Sequence, residues 1–237
     1  MSHDPDDIDA QVKAADPDRW LAARLIADDQ ARADVMALYA LNHVVAKIPT
    51  QVSEMMMGHI RLAWWREAIE ELAAGQTPRA HPVVEALADP IRRGAFDPAE
   101  LDALIDARAG DLEAGAFDDE AALYAHIDAT DGRLAALAAR RLDAASPAGA
   151  VSEAMRAWWL AALRRDSRLP PSIALKDVAG RVAGHLMAAA ADLKALPVAA
   201  FPAVAYATFS LPYAKDRALG PLEKRARLLA ATLRGRP

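Results

Sequence analysis

The sequence predicts an all-α protein, and three observations carry that prediction. Alanine and leucine dominate while aromatic residues make up only 5% of the 237 residues, and β-branched residues are sparse, a mix that favours helix over sheet. No segment sustains the period-two alternation of a half-buried strand. Asp-Pro starts and Gly or Pro stops bound apolar stripes at helical spacing. The breaks between helices are short, so the helices are expected to pack as a single bundle over residues 16–237. Residues 1–15 read as an acidic, disordered lead.

Asp16, Pro17 and Asp18 start the first expected helix: Asp caps free amides and Pro suits the first turn. Its stripe runs over 19–26, with Trp20, Leu21, Leu25 and Ile26 on one side. The second helix is expected over 29–47 and ends at Pro49. A third runs from about 53 to 74, with Ser53 and Glu54 at its cap and Gly75 as its stop. His81 and Pro82 open a fourth, stopped by Gly94. Asp97, Pro98 and Glu100 form a strong start for a fifth, reaching about 111. Residues 118–142 read as one long helix with Leu123, Ile127, Leu134 and Leu137 facing the core. Residues 151–163 follow, with Met155, Trp158 and Trp159 on the apolar side, then 176–196. Pro197, Pro202, Pro212 and Pro221 punctuate shorter pieces beyond.

Composition excludes several classes. The net charge of -5 gives nucleic-acid binding no electrostatic support. With no cysteine, disulfides and thiolate zinc sites are ruled out. The acidic amino-terminal stretch lacks the apolar core of a signal peptide, and no run approaches the ~18 apolar residues of a membrane span. The expected location is cytoplasmic, with any membrane contact peripheral on the inner membrane.

Residues 39–71 read YALNHVVAKIPTQVSEMMMGHIRLAWWREAIEE. Together with Gly75 and HPVVEAL over 81–87, this segment resembles the first substrate-binding helices of the squalene/phytoene synthase family. Tyr124, Ala125, Gly132 and Leu134 resemble the helix that lines the synthase cavity. The resemblance covers roughly residues 16–200 and weakens after about 145. It implies the isoprenoid synthase fold, and a cavity lined by Tyr39, Asn42, His43, Trp65, Tyr124 and Gly132. In the catalytic members a tyrosine-alanine pair is followed by an aspartate cluster that holds magnesium and a diphosphate. The corresponding positions here are Ala46, Lys47 and Thr50. A methyl, a cation and a hydroxyl cannot replace anionic oxygen ligands, and Lys47 would repel a metal ion. The second aspartate cluster is missing too, apart from Asp166.

The run Leu41, Asn42, His43, Val44, Val45, Ala46 and the tandem Trp64–Trp65 resemble a non-catalytic branch better. That branch contains the mitochondrial respiratory complex I assembly factor and its bacterial relatives. The resemblance thus implies a pseudoenzyme with no catalytic residue, no metal site and no cofactor. Its expected partners are a protein of respiratory complex assembly and an isoprenoid-like lipid. The alternative is an active prenyltransferase of isoprenoid or terpenoid biosynthesis, using isoprenyl diphosphates and magnesium held by relocated acids.

Several residues have two readings. Asp102 and Asp106 lie one turn apart and Asp111 follows, a displaced metal site or a solvated acidic face. Asp128 and Asp131 share a side, as ligands or as surface acids. His43 is a cavity wall or a catalytic base; no histidine has metalloprotease spacing. Successive helical residues point ~100° apart, so one tryptophan of each tandem pair faces the centre and one packs elsewhere. Trp64 is expected in the core and Lys47 at an exposed rim. Met55, Met56 and Met57 form an adaptable contact surface or a half-buried helix start. Arg225, Arg227 and Arg234 lie on a basic amphipathic end, fit for an anionic membrane, for a protein partner or simply for solvent.

Overall fold

The computed structural model describes residues 7–113, 117–147, 149–165 and 169–235. Among them every regular element is helical, as the composition leads one to expect. The chain folds as two compact units, Met1–Ala114 and Gly115–Pro237.

In the first unit the acidic lead is not disordered: α1 spans Ile8–Ala15. Asp7 caps it by accepting from the Asp9 amide. Val12 is buried, and Asp9 accepts from the Trp20 indole N–H at 2.9 Å. Asp9, one of the acids that suggest a solvated lead, is thus a residue that docks it; the part of the lead at residues 1–6 lies outside the described residues. Asp16 then caps α2 (Pro17–Ala23), accepting from the Arg19 amide with Pro17 in the first turn. The long helix α3 (Asp29–Ala46) carries the core of the unit through Val35, Leu38, Leu41 and Val45. A single turn, α4 (Ile48–Gln51), leads to α5 (Met55–Ala73). Neither Ser53 nor Glu54 caps α5 with its side chain; Glu54 stands at the cap position without such a bond. Met55, Met56, Met57 and Ile60 are exposed, so this helix start is not half-buried. His81 caps α6 (Pro82–Arg92), its Nδ1 accepting from the Val83 amide. Asp97 caps α7 (Pro98–Ala107), which runs on into a 3₁₀ stretch, Arg108–Leu112.

In the second unit the helix expected over 118–142 is interrupted. α8 (Glu120–Ile127) and α9 (Arg133–Leu142) are joined by a π-helical turn, Asp128–Gly132, in which the Arg133 amide bonds back to the Asp128 carbonyl. Thr130 Oγ1 donates to the His126 carbonyl at 2.7 Å within it. α10 (Ser152–Arg165) is the central helix, packed on α11 (Val178–Asp192) and α12 (Ser210–Ala214). Its Trp158 is buried, edge-on to Tyr206 at 5.1 Å. Short 3₁₀ stretches fill the proline-punctuated region, and α13 (Pro221–Arg234) closes the unit on Leu228 and Ala231. Leu222, Leu229 and Leu233 stay exposed, on one stripe of α13 by their spacing. Arg225 and Arg234 are exposed, whereas Arg227 is half-buried and bonded to Glu223 at 2.9 Å. No helix among the described residues is long and apolar enough to cross a membrane.

Candidate functional site

The first unit contains a pocket of about 630 Å³ at the carboxyl end of α3. Helical spacing builds it. His43 in the last turn of α3 and Lys47 at its carboxyl cap lie four residues apart, and Arg61 precedes Trp64 and Trp65 by three and four on α5, so each set faces one way. His81 enters from the cap of α6, and Gln11, Ala14 and Ala15 of α1 complete the wall. The segment expected to be disordered is therefore one side of the site.

Both tandem tryptophans border the pocket, in different roles. Trp65 is buried at 6% exposure and meets the His81 ring edge-on at 4.8 Å. Trp64 is only half-buried, against the expectation of a core position. It stands edge-on to Trp65 at 5.0 Å, under the Arg79 guanidinium, 5.0 Å from its ring. Arg79 is held there by Glu71 and Glu67.

Among the described residues no carboxylate lines the pocket. Burial, followed by the nearby Lys47 charge, pushes the His43 pKa down, and Asp16 opposes this. Burial also lowers the His81 pKa, opposed by Glu85. Because His81 Nδ1 accepts from the Val83 amide, the proton of the neutral ring sits on Nε2.

The remaining motif positions do not meet here. Tyr39 and Asn42 are buried and do not border the pocket. Asn42 instead accepts from the buried Arg108 at 2.7 Å, and Arg108 also reaches Asp111 at 3.2 Å. Ala46 is half-buried outside the lining, and the exposed Thr50 turns its hydroxyl to the Lys47 carbonyl at 2.8 Å. The acids weighed as a displaced metal site are occupied otherwise. Asp102 takes two bonds from Arg66, at 2.6 and 3.0 Å, and Asp106 takes a third at 2.9 Å. Asp166 lies outside the described residues.

Tyr124 and Gly132 belong to the second unit, where an unforeseen polar cluster gathers. Arg156 of α10 donates to Asp128 in the π turn, at 3.1 Å from Nε, and to Glu153 at 2.7 Å. Glu153 pairs with His185 Nδ1 of α11 at 2.6 Å. Tyr124 stands edge-on to His185 at 5.0 Å, with Arg156 over its ring and Arg181 paired to Glu120 beside it. Burial raises the Tyr124 pKa, and the bond from Arg181 counteracts it. Asp128 of the wide turn pairs with Arg156, and Asp131 is buried rather than a surface acid. In sequence, the one hint of this cluster is acids and bases at mutual three- and four-residue spacings on three helices.

The magnesium implied by the synthase resemblance does not fit these residues. The pocket offers cations and imidazoles where the metal needs carboxylates. Among the described residues no group of three or more histidines and acids is placed to hold a metal ion.

Comparisons with known proteins agree with the fold. A solved dehydrosqualene synthase in complex with ligand superposes with a TM-score of 0.75, over 95% of this chain and 94% of its own, at 11% identity. That likeness places the chain in the all-α isoprenoid synthase fold. No curated protein matches the sequence. The squalene/phytoene synthase profile matches residues 12–166, a stretch that takes in the end of α1, the tandem tryptophans and all of α10. With well over half of its length covered, this chain belongs to the squalene/phytoene synthase family.

Proposed function

We propose that this protein is a non-catalytic member of its family: a binding protein of respiratory complex assembly that holds a protein partner and an isoprenoid-like lipid. It works in the cytoplasm, in peripheral contact with the inner membrane. The observation that carries the reading is the wall of the α3–α5 pocket, where Lys47, Arg61 and two imidazoles stand and, among the described residues, no carboxylate does. Ionising an allylic diphosphate requires divalent metal held by facing acids. The acids that a relocated metal site would need, Asp102 and Asp106, are bound to Arg66. The assembly role rests on the resemblance of residues 39–46 and of the tandem tryptophans to the assembly-factor branch. The membrane contact rests on α13, with its exposed leucine stripe beside Arg225 and Arg234.

The test is to incubate the purified protein with farnesyl or geranylgeranyl diphosphate and magnesium. No pyrophosphate above a denatured control is expected. Release that a chelator abolishes would sink the non-catalytic reading. For the assembly role, a deletion strain should accumulate incomplete respiratory complex I on native gels; a normal complex profile would remove that role.

A further inference from the structure

The charges of the first unit are unevenly matched. Its arginines at 19, 24, 32, 66, 79, 92, 93 and 108 each have a carboxylate partner. Among the described residues Arg61 is the exception: its one hydrogen bond is a long 3.5 Å contact with the neutral amide oxygen of Gln51. Lys47, at the carboxyl cap of α3, has no ion pair among the described residues either. Both line the same pocket. In a chain with a net charge of -5, two cations at one concave place with no counter-ion among the described residues call for a reason.

Asp16 does not supply one. It is close enough to act on the His43 charge, but one oxygen accepts from the Arg19 amide and the other from the Arg19 guanidinium, each at 2.9 Å. The polar cluster of the second unit makes the contrast, since its arginines have carboxylate partners within the protein. The pocket is instead lined by an ammonium, a guanidinium and the imidazole of His81, groups that suit a tetrahedral oxyanion. Trp64 and Trp65 give it an apolar wall. Met57, 46% exposed, precedes Arg61 by one helical turn on the same face of α5, so the apolar surface continues along the helix.

We propose that this pocket binds the phosphate group of an anionic amphiphile directly, through Lys47 and Arg61 and without a divalent metal. The proposal rests on the non-catalytic reading of the same site and names the ligand chemistry that the site takes. Two sources share that chemistry: a membrane phospholipid headgroup, and a soluble phosphate or diphosphate ester. Lys47 replaces the metal's charge by its own. The indoles lie along the first carbons of the tail.

The experiment is calorimetric titration of the full chain in EDTA. The probes are inorganic pyrophosphate, a short-chain phosphatidic acid below its micelle concentration, and vesicles containing anionic phospholipid. Saturable binding of at least one probe in EDTA is expected. Replacing Lys47 and Arg61 together by Ala should weaken it by about tenfold or more, since bonds to charged groups are lost. Exchanging the exposed Lys194 for Ala, in the other unit, should not. Binding of pyrophosphate identifies the soluble source; binding of phosphatidic acid and vesicles but not of pyrophosphate identifies the lipid. Binding that appears only with magnesium, binding by the double variant equal to wild type, or no binding of any probe each overturns the proposal. Circular dichroism checks that the variant is folded. Pyrophosphate release from an allylic diphosphate with magnesium would instead refute the non-catalytic reading, so the two failures are told apart.

Discussion

Replacing Trp65 by Ala should destabilise the protein far more than replacing Trp64, its neighbour in the same tandem. The side chain of Trp65 is 6% exposed and packs edge-on against both Trp64 and His81. Truncating such a residue removes a large apolar surface and leaves a cavity, at a cost of ~3–5 kcal/mol. For a protein of this size each kcal/mol lowers the midpoint by ~2–4 °C, so a fall of about 6–20 °C is expected. Trp64 is half-buried, and its identifiable contacts are the edge of Trp65 and the overlying Arg79. An aromatic pair contributes ~0.5–1.5 kcal/mol and a cation–π contact ~0.5–1, so the loss should be about 1–2.5 kcal/mol. Exposed Lys47, exchanged for Ala, should stay within ~0.5 kcal/mol. Urea denaturation of the three variants measures the order directly. Equal midpoints and slopes for the Trp64 and Trp65 variants would refute the reasoning, because the pocket would then not rest on one buried indole with a second at its rim.

Asn42→Ala should cost ~1.5–3 kcal/mol, because it removes a bond from the buried Arg108 cation; a double-mutant cycle with Arg108 that shows no coupling would contradict this. Stability should fall as the pH drops from about 6.5 through the lowered folded-state values of His43 and His81, since the unfolded chain takes up protons that the folded one resists. For His43 the surrounding Lys47 adds to that resistance while Asp16 opposes it, and for His81 Glu85 opposes it. His43→Gln should flatten the slope between pH 7 and 5, and an unchanged slope would count against the assignment. On α13, Leu229→Gln with Leu233→Gln and Arg225→Gln should reduce co-sedimentation with anionic vesicles, each basic residue near such a surface contributing ~1 kcal/mol, and salt should weaken wild-type binding. Wild-type protein that stays in the supernatant throughout would end the membrane reading.

The helix starts at Asp16–Pro17, His81–Pro82 and Asp97–Pro98 are legible in the sequence because the capping atom sits two or three residues from the amide it serves. The lead at 8–15 is misread because its docking depends on Asp9 reaching Trp20, and an exposed-looking acid carries no mark of such a partner. The missing acids at Ala46, Lys47 and Thr50 are plain from the residues alone. That Lys47 and Thr50 diverge, one to the pocket and one to a backbone carbonyl, follows from the change of helix between α3 and α4, which residue order does not reveal. Nor could residue order show that Arg66 holds Asp102 and Asp106 from 36 and 40 positions away while Arg61, five residues earlier, has no ion pair among the described residues. Periodicity finds 118–142 helical but treats it as uniform, and so pairs Asp128 with Asp131.

The wide turn at Asp128–Gly132 works as a phase shifter. A bond from Arg133 back to Asp128 takes five residues to close what an ordinary turn closes in four, so α9 starts about one residue, roughly 100°, behind the azimuth that α8 would have given it. Leu123 and Ile127 are buried on one side of the turn and Leu134 and Leu137 on the other, each pair at its own angle. Deleting Ala129 would turn the two helices into one straight rod. The rod would be more regular, yet everything from Arg133 onward would swing round, taking Leu134 and Leu137 off the directions they now hold. The extra residue thus lets two helices joined end to end serve two packing directions, which one perfectly periodic helix of the same length could not do.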